Sequence, residues 1–221
     1  MTEPPLARNP NFLLFVTGRV ASIVAVHGLT VAIGWHVYQL TGDPFDLGLI
    51  GLVQFAPAFA LFLAAGVAAD RIDRRLILSV CALAHVAVVL ALIAVLRQPD
   101  TSVTPILVLL ALHGAARAFY HTASQALLPL LVSTEQFPNA IAVSSSASKA
   151  AQLAGPAGAG ALIAWIGDGV YWPILVAFVL TGLAAAAIRR PRPAQRIDRV
   201  TLESVLGGFV YIWRNRLVLG A

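Results

Sequence analysis

Few residues in this chain are placed to do chemistry. Three cations, Arg19, Arg117 and Lys149, fall inside long apolar stretches, with Gln54, Gln152, Tyr38, Tyr120, His27 and His121 at comparable depth. No Asp or Glu accompanies them, since Asp46 and Glu135 lie only at the ends of such stretches. Cations without a neighbouring acid suit an anionic or strongly hydrogen-bonding ligand, or they pair with carboxylates supplied from outside this segment. Arg19, nearer the start of its stretch, is equally suited to bonding carbonyls or reaching toward water. Hydrolytic chemistry finds less support. Ser146-Ala147-Ser148-Lys149 matches the Ser-x-x-Lys of penicillin-binding enzymes, but its companion motifs are missing and it falls within an apolar span. No histidine pair has the spacing and companion acid of a zinc site, and Cys81 is the single cysteine. We therefore expect no catalysis, no metal and no cofactor. If protons are involved, His27 and His121 are the central titratable groups, unless the proton site lies outside this segment; His36, His85 and His113 read as packed or interfacial.

The elements that must position these groups are membrane helices. Of the 221 residues, 59% are hydrophobic and 11% charged, too apolar for an ordinary soluble domain. A spanning helix needs about 20 mostly apolar residues for a core about 30 Å thick. Six such spans are expected: Asn11 to Leu40, Phe45 to Ala69, Leu76 to Leu96, Thr104 to Val132, Asn139 to Ile166 and Val170 to Ile188. Turn chemistry separates them at Thr41-Gly42-Asp43-Pro44, Arg97-Gln98-Pro99-Asp100 and Gly167-Asp168-Gly169. The first span is too long for a signal-peptide core and lacks a small-residue cleavage site. Arg117 and Lys149 then lie near the middle of the hydrocarbon core, with Arg19 somewhat nearer the cytoplasm. Residues 189–216 read as a basic linker followed by an amphipathic interface helix, and residues 217–221 as the start of a seventh span in a truncated chain.

Charge gives the orientation. Arg8, then Arg71, Arg74 and Arg75, then the basic linker alternate with loops that hold only Arg97 beside Asp43, Asp46, Asp100 and Asp168. Both ends are therefore expected in the cytoplasm, in a multi-pass protein of a bacterial inner membrane. The net charge of +5 sits in these loops and not on one face interleaved with aromatics, which argues against nucleic acid as a partner. Sliding the chain on itself by about ninety-eight residues aligns Arg19 with Arg117, Gln54 with Gln152 and Asp70 with Asp168. That register pairs the spans as three plus three, and the loss of arginine from the second loop is what inversion of the second unit predicts.

Gly66-Val67-Ala68-Ala69-Asp70-Arg71-Ile72-Asp73-Arg74-Arg75 resembles the loop signature between the second and third helices of the major facilitator superfamily. Its Asp-Arg-x-Asp-Arg-Arg form is similar to the branch containing enterobactin and macrolide exporters. Gly114-Ala115-Ala116-Arg117-Ala118-Phe119-Tyr120, Gln125-Ala126-Leu127-Leu128-Pro129 and the segment from Gly207 to Asn215 agree with that branch. Gly155-Pro156-Ala157-Gly158-Ala159-Gly160 is similar to the fifth-helix motif of exporters, in which small residues permit tight packing. The resemblance implies that Gly66, Asp70, Arg71, Asp73, Arg74 and Arg75 form a conformational latch. In it Gly66 allows close helix approach, Asp70 accepts from a helix N-terminus, and the arginines meet acids or carbonyl ends. Gly155, Pro156, Gly158 and Gly160 would be a packing motif.

The expected fold is thus an all-α membrane domain of six helices in three-plus-three inverted repeats, the N-terminal half of a twelve-helix carrier (residues 1–188). Its expected work is secondary transport, namely proton-coupled efflux of a small molecule such as a drug or siderophore. Arg19, Gln54, Arg117, Tyr120, Lys149 and Gln152 are the cavity candidates. Expected partners are that substrate, protons, the lipid bilayer and a second six-helix half or a second copy. A membrane scaffold or sensor without transport is the alternative, followed by an intramembrane enzyme.

Overall fold

The computed structural model of the chain describes residues 5–99 and 101–189. The expected interface helix, the start of a seventh span and nearly all of the basic linker lie outside them. A short 3-10 turn (Leu6–Arg8) leads into α1 (Pro10–Thr41), which is followed by α2 (Pro44–Ala60), α3 (Phe62–Arg71), α4 (Arg74–Leu96) and α5 (Val103–Leu131). Then come α6 (Phe137–Ile166), a 3-10 turn (Gly167–Val170) and α7 (Tyr171–Ala187). Local chemistry marks the boundaries. The Asn9 side chain accepts from the Phe12 N–H with Pro10 opening α1, and Asp43 accepts from the Phe45 N–H with Pro44 opening α2. Between them Gly42, at φ 66°, ends α1 in the left-handed conformation that an L side chain resists.

Four helical stretches of the described residues are long and apolar enough to cross a bilayer: Pro10–Thr41, Arg74–Leu96, Val103–Leu131 and Phe137–Ala187. The pair α2 and α3 makes a fifth, bent by 48°. The stretch Phe137–Ala187, at 51 residues, would be about 77 Å long as one helix, far beyond a core of about 30 Å. It folds back at Gly167. Arg19 of α1 meets Ser148 of α6, and a Cβ added at Gly28 would meet Gly155, Ala159 and Ile174. Thr181 of α7 lies back beside Gly18, so α6 runs with α1 and α7 against it. The chain therefore traverses the bundle six times. At one end Asn9 Nδ2 donates to the Leu131 carbonyl and the Arg189 N–H to Asn11 Oδ1, both at 2.9 Å. At the other the Tyr171 hydroxyl donates to the Ala32 carbonyl, and Trp35, Trp165 and Trp172 are exposed, as side chains at a membrane interface are.

The second span departs from the expected single helix. It breaks at Leu61 (φ −91°, ψ 0°), one turn after Pro57, whose missing N–H leaves the Val53 carbonyl without its helical donor.

Helix pairing carries the inverted repeat. In the first unit (α1, α2 with α3, α4) and the second (α5, α6, α7), α1 packs on α6 and α7, while α5 packs on α2, α3 and α4. Helices α4 and α7 pack on each other, and α1 and α5 touch sparingly. Exchanging the units maps these contacts onto themselves. Two glycines set the closest crossings. A Cβ on Gly114 of α5 would overlap the Gln54 carbonyl of α2, and one on Gly155 of α6 would come within 3.1 Å of the Val24 carbonyl and His27 Cβ of α1. Gly158 and Gly160 have open space beside them, so of the expected packing motif Gly155 alone makes a close approach within this unit.

Candidate functional site

A groove of about 560 Å³ opens between α1, the broken α2 and α3 pair, and α5. Its polar lining is Arg117, His121 and Thr122 from α5, His27 and Thr30 from α1, and Gln54 from α2; no carboxylate lines it. Its apolar wall comes from the helix break. Phe55 and Phe59 stack with ring centres 5.7 Å apart, Phe62 follows beyond the bend, and all three are exposed. Their spacing of four and then three residues places them on one face of the helix, so an aromatic stripe was present in the sequence beside Gln54.

The structure thus gathers Gln54, Arg117, His27 and His121, and separates them from the other cavity candidates. Arg19 is engaged elsewhere. Its Nε donates to Ser148 Oγ at 3.0 Å and an Nη donates to Gln125 Oε1 at 3.1 Å, with its guanidinium 5.8 Å from the Phe15 ring centre. Ser148 in turn donates to the Ser144 carbonyl. The Tyr120 hydroxyl donates to the Gly18 carbonyl at 3.4 Å, so its polar end ties α5 to α1. Lys149 and Gln152 meet each other on α6 at 3.4 Å, outside the groove. Tyr38 is exposed near the far end of α1.

The ninety-eight-residue register explains the contrast between the two arginines. Counted back, Arg19's partners Ser148 and Gln125 correspond to Ile50 (148 minus 98), which is buried in the apolar core, and His27 (125 minus 98), which lines the groove with Arg117. Isoleucine offers no acceptor, and among the described residues Arg117 donates no side-chain hydrogen bond. A guanidinium carries five donors in a planar fork, so an empty fork in a membrane groove is a ready receptor for a carboxylate, sulfonate or phosphate oxygen.

At the arginine-bearing end, Asp73 accepts from the Arg75 N–H at 2.9 Å and caps α4. Asp70, expected to accept from a helix N-terminus, is exposed at the end of α3. Asp73 holds the cap because it directly precedes the first turn of α4. Arg75 donates to the Ala186 carbonyl at 3.2 Å, holding the exposed C-terminal end of α7. Arg71 is exposed, and Arg74 is half-buried with its Nε unpartnered among the described residues. Gly66 has open space where a close approach was expected. At the opposite end His36 Nδ1 stands 3.3 Å from the Asp168 carboxylate, as an interfacial histidine.

The family model of the Major Facilitator Superfamily matches residues 13–221. Macrolide efflux protein A of Streptococcus pyogenes is 26% identical over 188 residues, which are 85% of this chain and 46% of that protein. The protein of the same name from Streptococcus pyogenes serotype M6 (strain ATCC BAA-946 / MGAS10394) gives the same figures. The chain spans about half the length of these curated relatives.

Proposed function

We propose a transport function from one premise: the chain belongs to the Major Facilitator Superfamily. In this reading it is the N-terminal six-helix domain, residues 1–188, of a secondary active transporter that exports a small molecule, drug- or siderophore-like, at the expense of a proton gradient. The domain rocks against a C-terminal six-helix partner, or a second copy, around a site near the membrane midplane. The arginine-bearing end faces the cytoplasm, and Gly66, Asp70, Arg71, Asp73, Arg74 and Arg75 stabilise one closed state. Residues 189–216 serve as a cytoplasmic linker and interface helix.

What supports the reading is the unengaged guanidinium of Arg117 in a groove without carboxylates. A charge at that depth is costly, and a ligand anion offsets the cost. The same groove offers aromatic surface opposite, so the substrate is an amphiphile with an acidic or strongly accepting group and an apolar body. Lys149 and Gln152 on α6 form a second polar bank beyond the groove, and the names of the relatives agree with efflux.

The test is a panel of efflux assays on the complete protein in sealed vesicles at two external pH values, with Arg117→Gln and Lys149→Gln beside wild type. Export of an anionic amphiphile that depends on the proton gradient and falls at least tenfold in Arg117→Gln is expected. Absence of flux for every panel member at both pH values, or equal flux in wild type and both variants, would contradict the proposal.

A further inference from the structure

Beside the groove, buried between α4, α5 and α7, lie two histidines that the transport reading does not use. His85 on α4 and His113 on α5 are each 0% exposed, with ring centres 4.5 Å apart and planes inclined by 46°. Phe178 of α7 closes the third side, its ring centre 4.8 Å from His85 and 6.0 Å from His113. All four imidazole nitrogens are buried, and none has a hydrogen-bond partner among the described residues. A buried polar atom left in that state costs about 1–3 kcal/mol. Leucine or phenylalanine would fill the same space without that cost. Adjacent turns are apolar, with Ala82, Val88 and Val89 on α4 and Leu110 on α5 all buried.

The titratable and charged groups around the pair are few. Cys81 lies one turn before His85 on α4, Arg117 lies one turn after His113 on α5, and His27 stands across the groove on α1. Helix α7 contributes Phe178 and has no ionisable side chain apart from Tyr171 at its start. Within one turn of His85, His113 and Phe178 on their own helices, Arg117 is the one permanently charged side chain. On α5, His113, Arg117 and His121 recur every four residues, so one stripe leads from the buried pair to the groove, which His121 lines.

We propose that the His85–His113 pair is a site for one proton, shared between a nitrogen of each ring, which Arg117 holds empty until an anion in the groove offsets its charge. Two imidazoles joined by an N–H···N bond of about 2.9 Å have ring centres about 5 Å apart, so the two rings, 4.5 Å apart and not bonded to each other here, need only turn edge to edge to form it. A groove-side water or buffer acid gives up the proton. The lone pair on one unprotonated ring nitrogen takes it, the new N–H donates to the free lone pair of the second ring, and the donor leaves as hydroxide or buffer base. The trigger rests on the anion reading of the groove; occupancy of the site by a proton does not require transport.

The test uses the full chain labelled with ¹⁵N-histidine in lipid nanodiscs, with signals assigned through His85→Gln and His113→Gln. Spectra are recorded between about pH 8 and about pH 5, with and without 1-pyrenesulfonate, for wild type and Arg117→Gln. Both rings are expected to be neutral without the anion near neutral pH. They should share one proton when the sulfonate is added, and do so at higher pH in Arg117→Gln than in wild type. Two neutral rings across the whole range, in Arg117→Gln and in sulfonate-saturated wild type alike, would overturn the site. Protonation that appears in Arg117→Gln but ignores the sulfonate would uphold the proton site and count against the anion reading of the groove alone.

Discussion

Arg19 and Arg117 stand at equivalent places in the two repeats, yet one is tied and the other is free. Around Arg19 the second unit supplies Ser148 and Gln125, which accept its hydrogen bonds. The register counterparts of those two in the first unit are Ile50, which is buried in the apolar core, and His27, which lines the groove with Arg117 and the phenylalanines of a broken helix. The same cation in the same scaffold thus ties helices together in one unit and lines a groove in the other. Whether a membrane-embedded charge is structural or available to a ligand is set by its acceptors, and not by depth alone.

Loss of the scaffold itself would break the comparison most completely. Gly114→Val puts a side chain into the Gln54 carbonyl at the α2–α5 crossing. Backbone cannot yield as a side chain can, so a loss of 3 kcal/mol or more, at or above the top of the ~1–3 kcal/mol overpacking range, is expected. Recovery of folded, monodisperse protein in detergent measures it, and wild-type recovery would be the contrary result. Arg19→Gln comes next. Removing two hydrogen bonds from a half-buried cation should lower stability by about 1.5–3 kcal/mol, read as a lower melting temperature, with ligand affinity unchanged. Arg117→Gln reverses that pattern: affinity for an aryl sulfonate should fall about tenfold, or ~1.4 kcal/mol, with the melting temperature kept. The smallest effects separate the glycines of one motif. Gly158→Ala and Gly160→Ala should raise stability by about 0.5–1 kcal/mol, as alanine does in an open helix. Gly155→Ala should lower it, because its Cβ would crowd Val24 and His27. Melting temperatures of the three variants give the signs.

Much of this architecture was legible in the sequence because membrane helices announce themselves by length and apolarity, and their breaks by Gly, Asp and Pro. Gly42, Asp43 and Pro44 do at the first turn what their chemistry requires, and the register that aligned Arg19 with Arg117 reappears as the exchange of helix pairings. The bend at Leu61 was not legible, because Pro57 alone does not determine whether a helix bends; Pro156, at nearly the same place in the second unit, sits in an unbroken α6. The cavity was legible only in part. Deep polar residues mark themselves as candidates, and the shallower place of Arg19 set it apart from Arg117, but the partners that tie Arg19 lie more than a hundred positions away and carry no local signal. Similarly, the loop motif pointed to Asp70 as the residue that meets a helix N-terminus, and only the start of α4 at Arg74 gives that place to Asp73.

Charge selectivity of binding tests the central claim most directly. The full chain in lipid nanodiscs is titrated with 1-pyrenesulfonate and with 1-pyrenemethylammonium, the same arene carrying opposite charge, for wild type, Arg117→Gln and Arg19→Gln. A preference for the sulfonate that disappears in Arg117→Gln and survives in Arg19→Gln is the predicted result. Equal affinity for both probes in wild type, or a preference lost equally in the two variants, would contradict the account.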